Sequence, residues 1–166
     1  RCDVRVDLLG GTINGDVYGG SEFAYIGGYG ANPGGKAQLY IGNKDQVDHD
    51  EEGVTILGDV YGANNFGGSP MDSVQVHIYH TKHTTDNLVT GTGYALANVF
   101  GGGNQSNYTP NQGNRTAYPR SALVHVYNCE NTIEDLYGGG NAADIGTSEA
   151  NTDANIIVEG GRFHRV

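Results

Sequence analysis

The chain of 166 residues carries a formal net charge of −10 at pH 7 and contains 28 glycines and no tryptophan. With only nine lysines and arginines it lacks the basic face that nucleic-acid binding requires, and no apolar stretch is long enough to span a membrane. The length predicts one domain, residues 1–166, and the negative charge suits an extracellular surface.

Five short segments alternate apolar residues with other residues at the period of a β-strand. Along the chain they are Val4-Arg5-Val6, Leu39-Tyr40-Ile41, Val76-His77-Ile78, Val124-His125-Val126 and Ile156-Ile157-Val158. We expect the first and third residue of each segment to point inward and to stack in two columns. No stretch of useful length shows the period of a helix.

A glycine turn follows each of the first four strand segments. Its copies are Val17-Tyr18-Gly19, Val60-Tyr61-Gly62, Val99-Phe100-Gly101 and Leu136-Tyr137-Gly138, so the leading residues are 43, 39 and 37 positions apart. A further apolar residue precedes each turn and also follows the last strand: Ile13, Ile56, Leu96, Ile133 and Phe163. Each unit therefore predicts two short strands and a turn.

A period of this length indicates a repeat architecture. Without its loops, a unit matches one coil of a parallel solenoid, whose strands stack about 4.8 Å apart. A β-propeller would need four strands in each blade and a closed ring, and only two strands per unit are visible. We predict an all-β, right-handed, single-stranded parallel β-helix of about four to five coils, with loop insertions at 42–53, 79–94 and 104–120.

The chain begins and ends inside a unit, which predicts a fragment of a longer repeat protein. Its terminal coils should then expose open strand edges, and end-to-end self-association becomes an expected partner interaction.

The turns Val99-Phe100-Gly101-Gly102-Gly103-Asn104 and Leu136-Tyr137-Gly138-Gly139-Gly140-Asn141 resemble glycine-rich repeats of large cell-surface proteins of gut Bacteroidetes. Those proteins resemble right-handed parallel β-helix adhesins and stalks, and the likeness covers nearly the whole chain. The resemblance implies a bacterial cell-surface or secreted location and a structural or binding role. It carries over no catalytic residue.

Stacked coils bring equivalent positions into columns, and function on a solenoid is commonly found along them. One predicted outward column contains Arg5, Tyr40, His77, His125 and Ile157, and a second contains Asp7, Gly42, Tyr79, Tyr127 and Glu159. The central members Tyr40, His77, Tyr79, His125 and Tyr127 form a candidate binding patch for a glycan or a protein. The alternative is that these side chains only stack on one another.

Three more columns lie beside the glycine turns. Asp16, Asp59, Asn98, Asp135 and Arg165 form a mainly acidic column, which we interpret as solvated or as accepting backbone N–H groups. Tyr18, Tyr61, Phe100 and Tyr137 form an aromatic ladder, and Asn64, Asn104 and Asn141 form an amide ladder that satisfies the turn backbone.

Two segments contain residue types that bind metals. His77, His80 and His83 are close in sequence, but on a strand the first two face opposite ways. The loop 45–52 is rich in carboxylates yet lacks the glycine register of a calcium loop. We predict no metal and no cofactor, with Ca²⁺ in the acidic loop as the alternative.

Parallel β-helices can also host polysaccharide lyases and glycosidases. A glycosidase needs two carboxyls about 5 to 10 Å apart, which Asp16 with Asp59, or Glu134 with Asp135, could supply. The outward histidines could act as a lyase base, but no cluster of Arg and Lys adjoins them to hold a uronate. The sequence favours a non-enzymatic stalk or adhesin, with a fragment of such an enzyme as the alternative.

The two cysteines are predicted not to pair. Alignment of the units places Cys2 in the inward column of Ala37, Val74, Ala122 and Ala154. Cys129 lies three coils later, and three rises of about 4.8 Å exceed the reach of a disulfide. We expect both to be small buried hydrophobic residues.

Overall fold

The computed structural model describes residues 2–27, 34–45, 53–82, 93–110, 121–146 and 152–166. Within these ranges the chain forms twelve β-strands, and no helix there is long and apolar enough to cross a membrane. The strands are β1 (Cys2–Leu8), β2 (Gly11–Ile13), β3 (Val17–Tyr18), β4 (Gly34–Ile41), β5 (Val54–Ile56), β6 (Val60–Tyr61), β7 (Val74–Ile78), β8 (Leu96–Phe100), β9 (Ser121–Val126), β10 (Thr132–Tyr137), β11 (Asp153–Val158) and β12 (Arg162–Arg165).

The strands form two parallel sheets. The first has the order β1-β4-β7-β9-β11, and the second contains β12-β10-β8-β5-β2 together with β3 and β6. Every pairing between these strands is parallel, and each repeat unit contributes to both sheets. The prediction of an all-β fold built from parallel strands is therefore confirmed.

The core lies between the two sheets. From the first sheet, the register aligns Leu39, Val76 and Val124 and, two residues further, Ile41, Ile78 and Val126. From the second sheet come the aligned residues Val17, Val60, Val99 and Leu136. These side chains pack into one buried cluster, and burial of each contributes about 1.5–3 kcal/mol to stability. The predicted inward columns are confirmed for the inner units.

The first strand is placed differently from the sequence prediction. In the structure Arg5 pairs with Gln38, and Asp7, rather than Arg5, pairs with Tyr40. A shift of two residues keeps every side chain on the same face of a strand, so alternation alone does not distinguish the two registers. In the observed register the third apolar residue of β1, Leu8, pairs with Ile41.

The cysteines also differ from the prediction. Both Cys2 and Cys129 are exposed free thiols, so the expectation of two buried hydrophobic residues is wrong. Val4, and not Cys2, is aligned with Ala37 in the inward column. The register shifts between Cys2 and Val4, so that Cys2 is aligned with Gly34. Cys129 lies in the turn that follows β9.

Strands at the two ends of the first sheet are more exposed than the strands between them. The side chains of β1 and β11 are exposed or half-buried, whereas those of β7 alternate between buried and half-buried. Val158, predicted to point inward, is 41% exposed because β11 has a partner on one side only among the described strands. This agrees with the expectation of exposed terminal strands.

Glycine is required where successive turns touch. A Cβ atom on Gly62 would lie 2.5 Å from the carbonyl oxygen of Gly101 and 2.7 Å from Cγ1 of Val74. A Cβ atom on Gly19 or on Gly101 would likewise lie within 2.5 Å of the carbonyl oxygen of the equivalent glycine in the next unit. By contrast, a Cβ atom on Gly139 would meet no atom within 4 Å. The glycine column therefore permits the close stacking of the units.

We predict that Gly62→Ala lowers the free energy of unfolding by about 1–3 kcal/mol, because the new methyl group overpacks a backbone contact. The matched control Gly139→Ala should leave stability unchanged or raise it slightly, since its methyl group enters open space. Urea denaturation followed by circular dichroism measures both. Equal stability of the two variants would contradict the close packing of the turns.

Candidate functional site

The five candidate residues lie together on the outer side of the first sheet. Tyr40, His77 and His125 occupy aligned outward positions of β4, β7 and β9, each between two buried apolar neighbours. Tyr79 and Tyr127 follow β7 and β9 by one residue and form the adjacent column. We call these five residues the Tyr/His face.

The rings of the Tyr/His face stack on one another. The centroids of Tyr40 and His77 are 5.0 Å apart, with 9° between the ring planes. Tyr79 and Tyr127 stack at 4.5 Å, and His125 and Tyr127 at 3.7 Å. All five side chains are half-buried. Sequence columns and structure therefore agree that these residues form one surface, and mutual stacking holds their rings in place.

Polar groups at the rim of the rings are mostly paired. Nδ1 of His77 lies 2.8 Å from the hydroxyl of Tyr127, and Nε2 of His125 lies 2.7 Å from a carboxylate oxygen of Glu159. The side-chain amide of Gln38 donates to the hydroxyl of Tyr40 at 3.1 Å. These bonds orient the rings and leave part of their hydrogen-bonding capacity free.

Burial keeps the rings of His77 and Tyr127 neutral. The pKa of His77 is lowered first by burial, which disfavours the charged imidazolium, and then by the Coulomb interaction with the nearby His125. The pKa of Tyr127 is raised to about 12, mainly by burial, with a further contribution from Tyr79. At neutral pH this part of the face therefore offers apolar ring surfaces and hydrogen-bonding groups rather than charge.

An open cleft of about 250 Å³ lies at the first-unit end of the Tyr/His face. Its lining includes Tyr40 and Tyr79 from the face and the charged residues Arg5, Asp7 and Lys44. The guanidinium of Arg5 lies 4.5 Å from the centre of the Tyr40 ring and pairs with Asp7 at 2.8 Å. The column analysis did not find this cleft, because part of its wall comes from Lys44 and Asp45, which do not belong to a repeated column.

The second sheet carries the predicted aromatic ladder. Tyr18, Tyr61, Phe100 and Tyr137 stack with centroid separations of 5.1, 5.1 and 4.9 Å. Tyr61 and Phe100 are buried, whereas the terminal members are half-buried. The ladder therefore stabilises the stacked units and presents little surface to a ligand.

The acidic column is used within the fold. Oδ1 of Asp16 accepts the backbone N–H of Asp59 at 2.8 Å, and Oδ1 of Asp59 accepts the side-chain amide of Asn98 at 2.8 Å. Each aspartate also accepts the hydroxyl of the tyrosine two residues later, as in Tyr18 to Asp16 at 3.1 Å. Oδ1 of Asp59 also accepts the backbone N–H of Asn98 at 3.3 Å, so the interpretation that these carboxylates accept backbone N–H groups is confirmed for Asp16 and Asp59.

Asp135 is the most strongly held carboxylate of this column. It binds the guanidinium of Arg165 through both oxygens, and Nδ1 of His164 lies 3.0 Å from its Oδ1. These hydrogen bonds, led by Arg165, lower the pKa of Asp135 to about 2. The carboxylate stays ionised at neutral pH and is unsuited to act as a general acid.

The amide ladder contains Asn65 rather than Asn64. The side-chain amide of Asn104 donates to Asn65 at 3.0 Å, and that of Asn141 donates to Asn104 at 3.0 Å. Asn65 is the residue five positions after its anchor Val60, as Asn104 and Asn141 are after theirs. Asn64 instead satisfies turn backbone groups: it accepts from Ser21 and donates to the carbonyls of Ala24 and Gly67.

The metal hypotheses fall partly outside the described residues. His77 belongs to the Tyr/His face, His80 is buried, and His83 lies outside the described ranges. Of the acidic loop 45–52, only Asp45 is described. Among the described residues no group of three His, Cys, Asp or Glu side chains is arranged to hold a metal ion.

Comparison of the chain with protein-family models, curated proteins and solved structures found no match. No related protein therefore supplies a ligand or substrate for the Tyr/His face. Its chemistry follows from its own side chains, which combine flat apolar rings with hydroxyl and imidazole groups at their rims.

We predict that stability falls as the pH drops from about 7.5 to about 5.5 across the ordinary histidine pKa. His77 has a lowered pKa in the fold, so the unfolded chain takes up a proton first, and the stabilisation is complete only above about pH 6.5. Urea midpoints at the two pH values should differ more in the wild type than in His77→Phe. An equal pH dependence in both proteins would contradict the assignment.

Proposed function

We propose that the chain is a right-handed, single-stranded parallel β-helix module of about four to five coils that binds glycan through the Tyr/His face. It acts without catalysis, as a stalk or adhesin segment outside the cell. Its net charge of −10 fits a solvated extracellular surface.

The sheet topology supports the β-helix. Each repeat unit places one strand in the first sheet and another strand region in the second, and equivalent strands of successive units are neighbours. Parallel neighbours require a crossover connection, and here the chain passes through the second sheet between successive strands of the first. Such connections are right-handed in nearly all proteins, which supports the proposed hand.

The observation that carries the binding proposal is the continuous row of stacked rings. Tyr40, His77, Tyr79, His125 and Tyr127 keep parallel or nearly parallel contacts over three successive units. Because each ring is held by its neighbours, a ligand loses little affinity to ordering of the site. The C–H faces of sugar rings pack on such aromatic surfaces, while hydroxyls reach the rim groups.

The use of the carboxylates favours binding over catalysis. A glycosidase needs a pair of carboxyls free to act as acid and as base or nucleophile. Asp16 and Asp59 instead accept hydrogen bonds from the following unit, and Asp135 is bound by Arg165. A polysaccharide-active enzyme is therefore the less favoured function.

We predict that replacing Tyr79 and Tyr127 together by alanine weakens glycan binding at least about tenfold, since each lost aromatic contact is worth roughly 1–2 kcal/mol. A glycan array identifies the ligand, and calorimetric titration compares the variant with the wild type. The core should stay intact because both side chains lie outside it.

The matched control is Phe23→Ala with Phe66→Ala, a second exposed stacked pair with a centroid separation of 5.5 Å. It should bind the same glycan as the wild type does. Loss of binding in this control alone would move the site to that pair. Binding of surface proteins in place of any glycan would identify the ligand as protein, and no binding of either kind would favour a plain structural spacer.

A further inference from the structure

One column of the Tyr/His face lacks a side chain at Gly42. The backbone N–H of Gly42 donates to the carbonyl of Leu8 at 2.8 Å, and that of Tyr79 donates to the carbonyl of Ile41 at 2.8 Å. These bonds place Gly42 between Leu9 and Tyr79 in the column that continues to Tyr127. The column of rings therefore ends at Tyr79, next to a position that carries no side chain.

The backbone requires glycine at this position. Gly42 has a φ of +84°, in the region that favours glycine. A Cβ atom there would lie 2.2 Å from the carbonyl oxygen of His80 and 2.3 Å from its backbone nitrogen. The backbone of His80 fills the space that a side chain would enter, so no other residue fits at this position without movement of the chain.

The open cleft at the first-unit end of the Tyr/His face lies beside Gly42, and we call it the Gly42 cleft. It has a volume of about 250 Å³ and is lined by Tyr79, Tyr40, Gly42 and Leu9 on its apolar side. Tyr127 stacks on Tyr79 at 4.5 Å from the following unit, so Tyr79 is backed by a second ring. The volume is below the ~300 Å³ at which sites for drug-sized ligands begin, and it suits a single ring.

The polar side of the cleft carries balanced charge. Arg5 and Lys44 supply two positive charges, and Asp7 and Asp45 supply two negative charges. Arg5 is already paired with Asp7 through bonds of 2.8 Å and lies over the ring of Tyr40. Donors and acceptors are therefore available without a net charge to attract an ion, which matches a neutral polyhydroxylated ring better than a phosphate or a uronate.

We propose that the Gly42 cleft binds one neutral pyranose residue of a glycan, seated against Tyr79. This inference rests on the proposed glycan-binding function and locates its first sugar subsite. Lys44 and Asp45 contact the sugar hydroxyls, and the rest of the glycan continues along the Tyr/His face.

The test is an NMR titration of the uniformly ¹⁵N-labelled chain with methyl glucoside, methyl galactoside, methyl mannoside and methyl glucuronide. We expect a neutral glycoside to shift the amide signals of Gly42, Lys44 and Tyr79. Tyr79→Ala should weaken this binding at least about tenfold, and Lys44→Met should weaken it severalfold. The matched controls Phe23→Ala and Lys36→Met alter residues outside the cleft and should bind as the wild type does.

Each other outcome overturns the cleft assignment. Shifts at Tyr127 and His125 without shifts at Gly42 would place sugar elsewhere on the Tyr/His face and leave the proposed function standing. Stronger binding of the glucuronide than of every neutral glycoside would assign an acidic ligand. If no glycoside binds but N-acetyltyrosinamide shifts the same amides, the occupant is a protein side chain. If no glycoside binds and the array also finds no glycan, the proposed function fails as well.

Discussion

Parallel stacking of equivalent residues, one strand spacing apart, is the constraint on which this structure depends. At about 4.8 Å between neighbouring strands, each side chain must tolerate a copy of its own position directly beside it. Apolar residues do so in the core, where Val60 and Val99 align. Flat rings do so by stacking, as Tyr61 and Phe100 do at 5.1 Å. Glycine does so where the backbones of successive turns meet.

Charged residues meet the same constraint by pairing along the column. Asp59 lies between Asp16 and Asn98, and its own backbone N–H and side-chain oxygen bond to these two neighbours. In the last unit Arg165 replaces the acid and neutralises Asp135. Repulsion between aspartates of successive units is therefore offset by bonds between units, and these bonds stabilise the stack.

Much of the fold could be predicted because equivalent positions of successive repeats pair with one another, so the repeat spacing gives the register of the strands. The spacing of Val17, Val60 and Val99 fixed the second sheet correctly, and the outward aromatic residues came together as expected. The register predicted for the first strand was wrong because Val4, Val6 and Leu8 fit the same alternation in two registers. The cleft was not predicted because aligning residues in columns shows which side chains are neighbours but not where open space lies between them. Its polar wall comes from Lys44 and Asp45, which do not repeat.

Disulfide trapping tests the in-register stack most directly, in a background with Cys2→Ser and Cys129→Ser. Gln75 is aligned with Gln38 on one side and with Leu123 on the other, all at outward positions. The stack predicts that a cysteine replacing Gln75 is oxidised to a disulfide with a cysteine replacing either Gln38 or Leu123, since one strand spacing is within disulfide reach. Cysteines replacing Gln38 and Leu123 together should stay reduced because they are two spacings apart. A disulfide between those two positions, with none formed through position 75, would contradict the parallel stack.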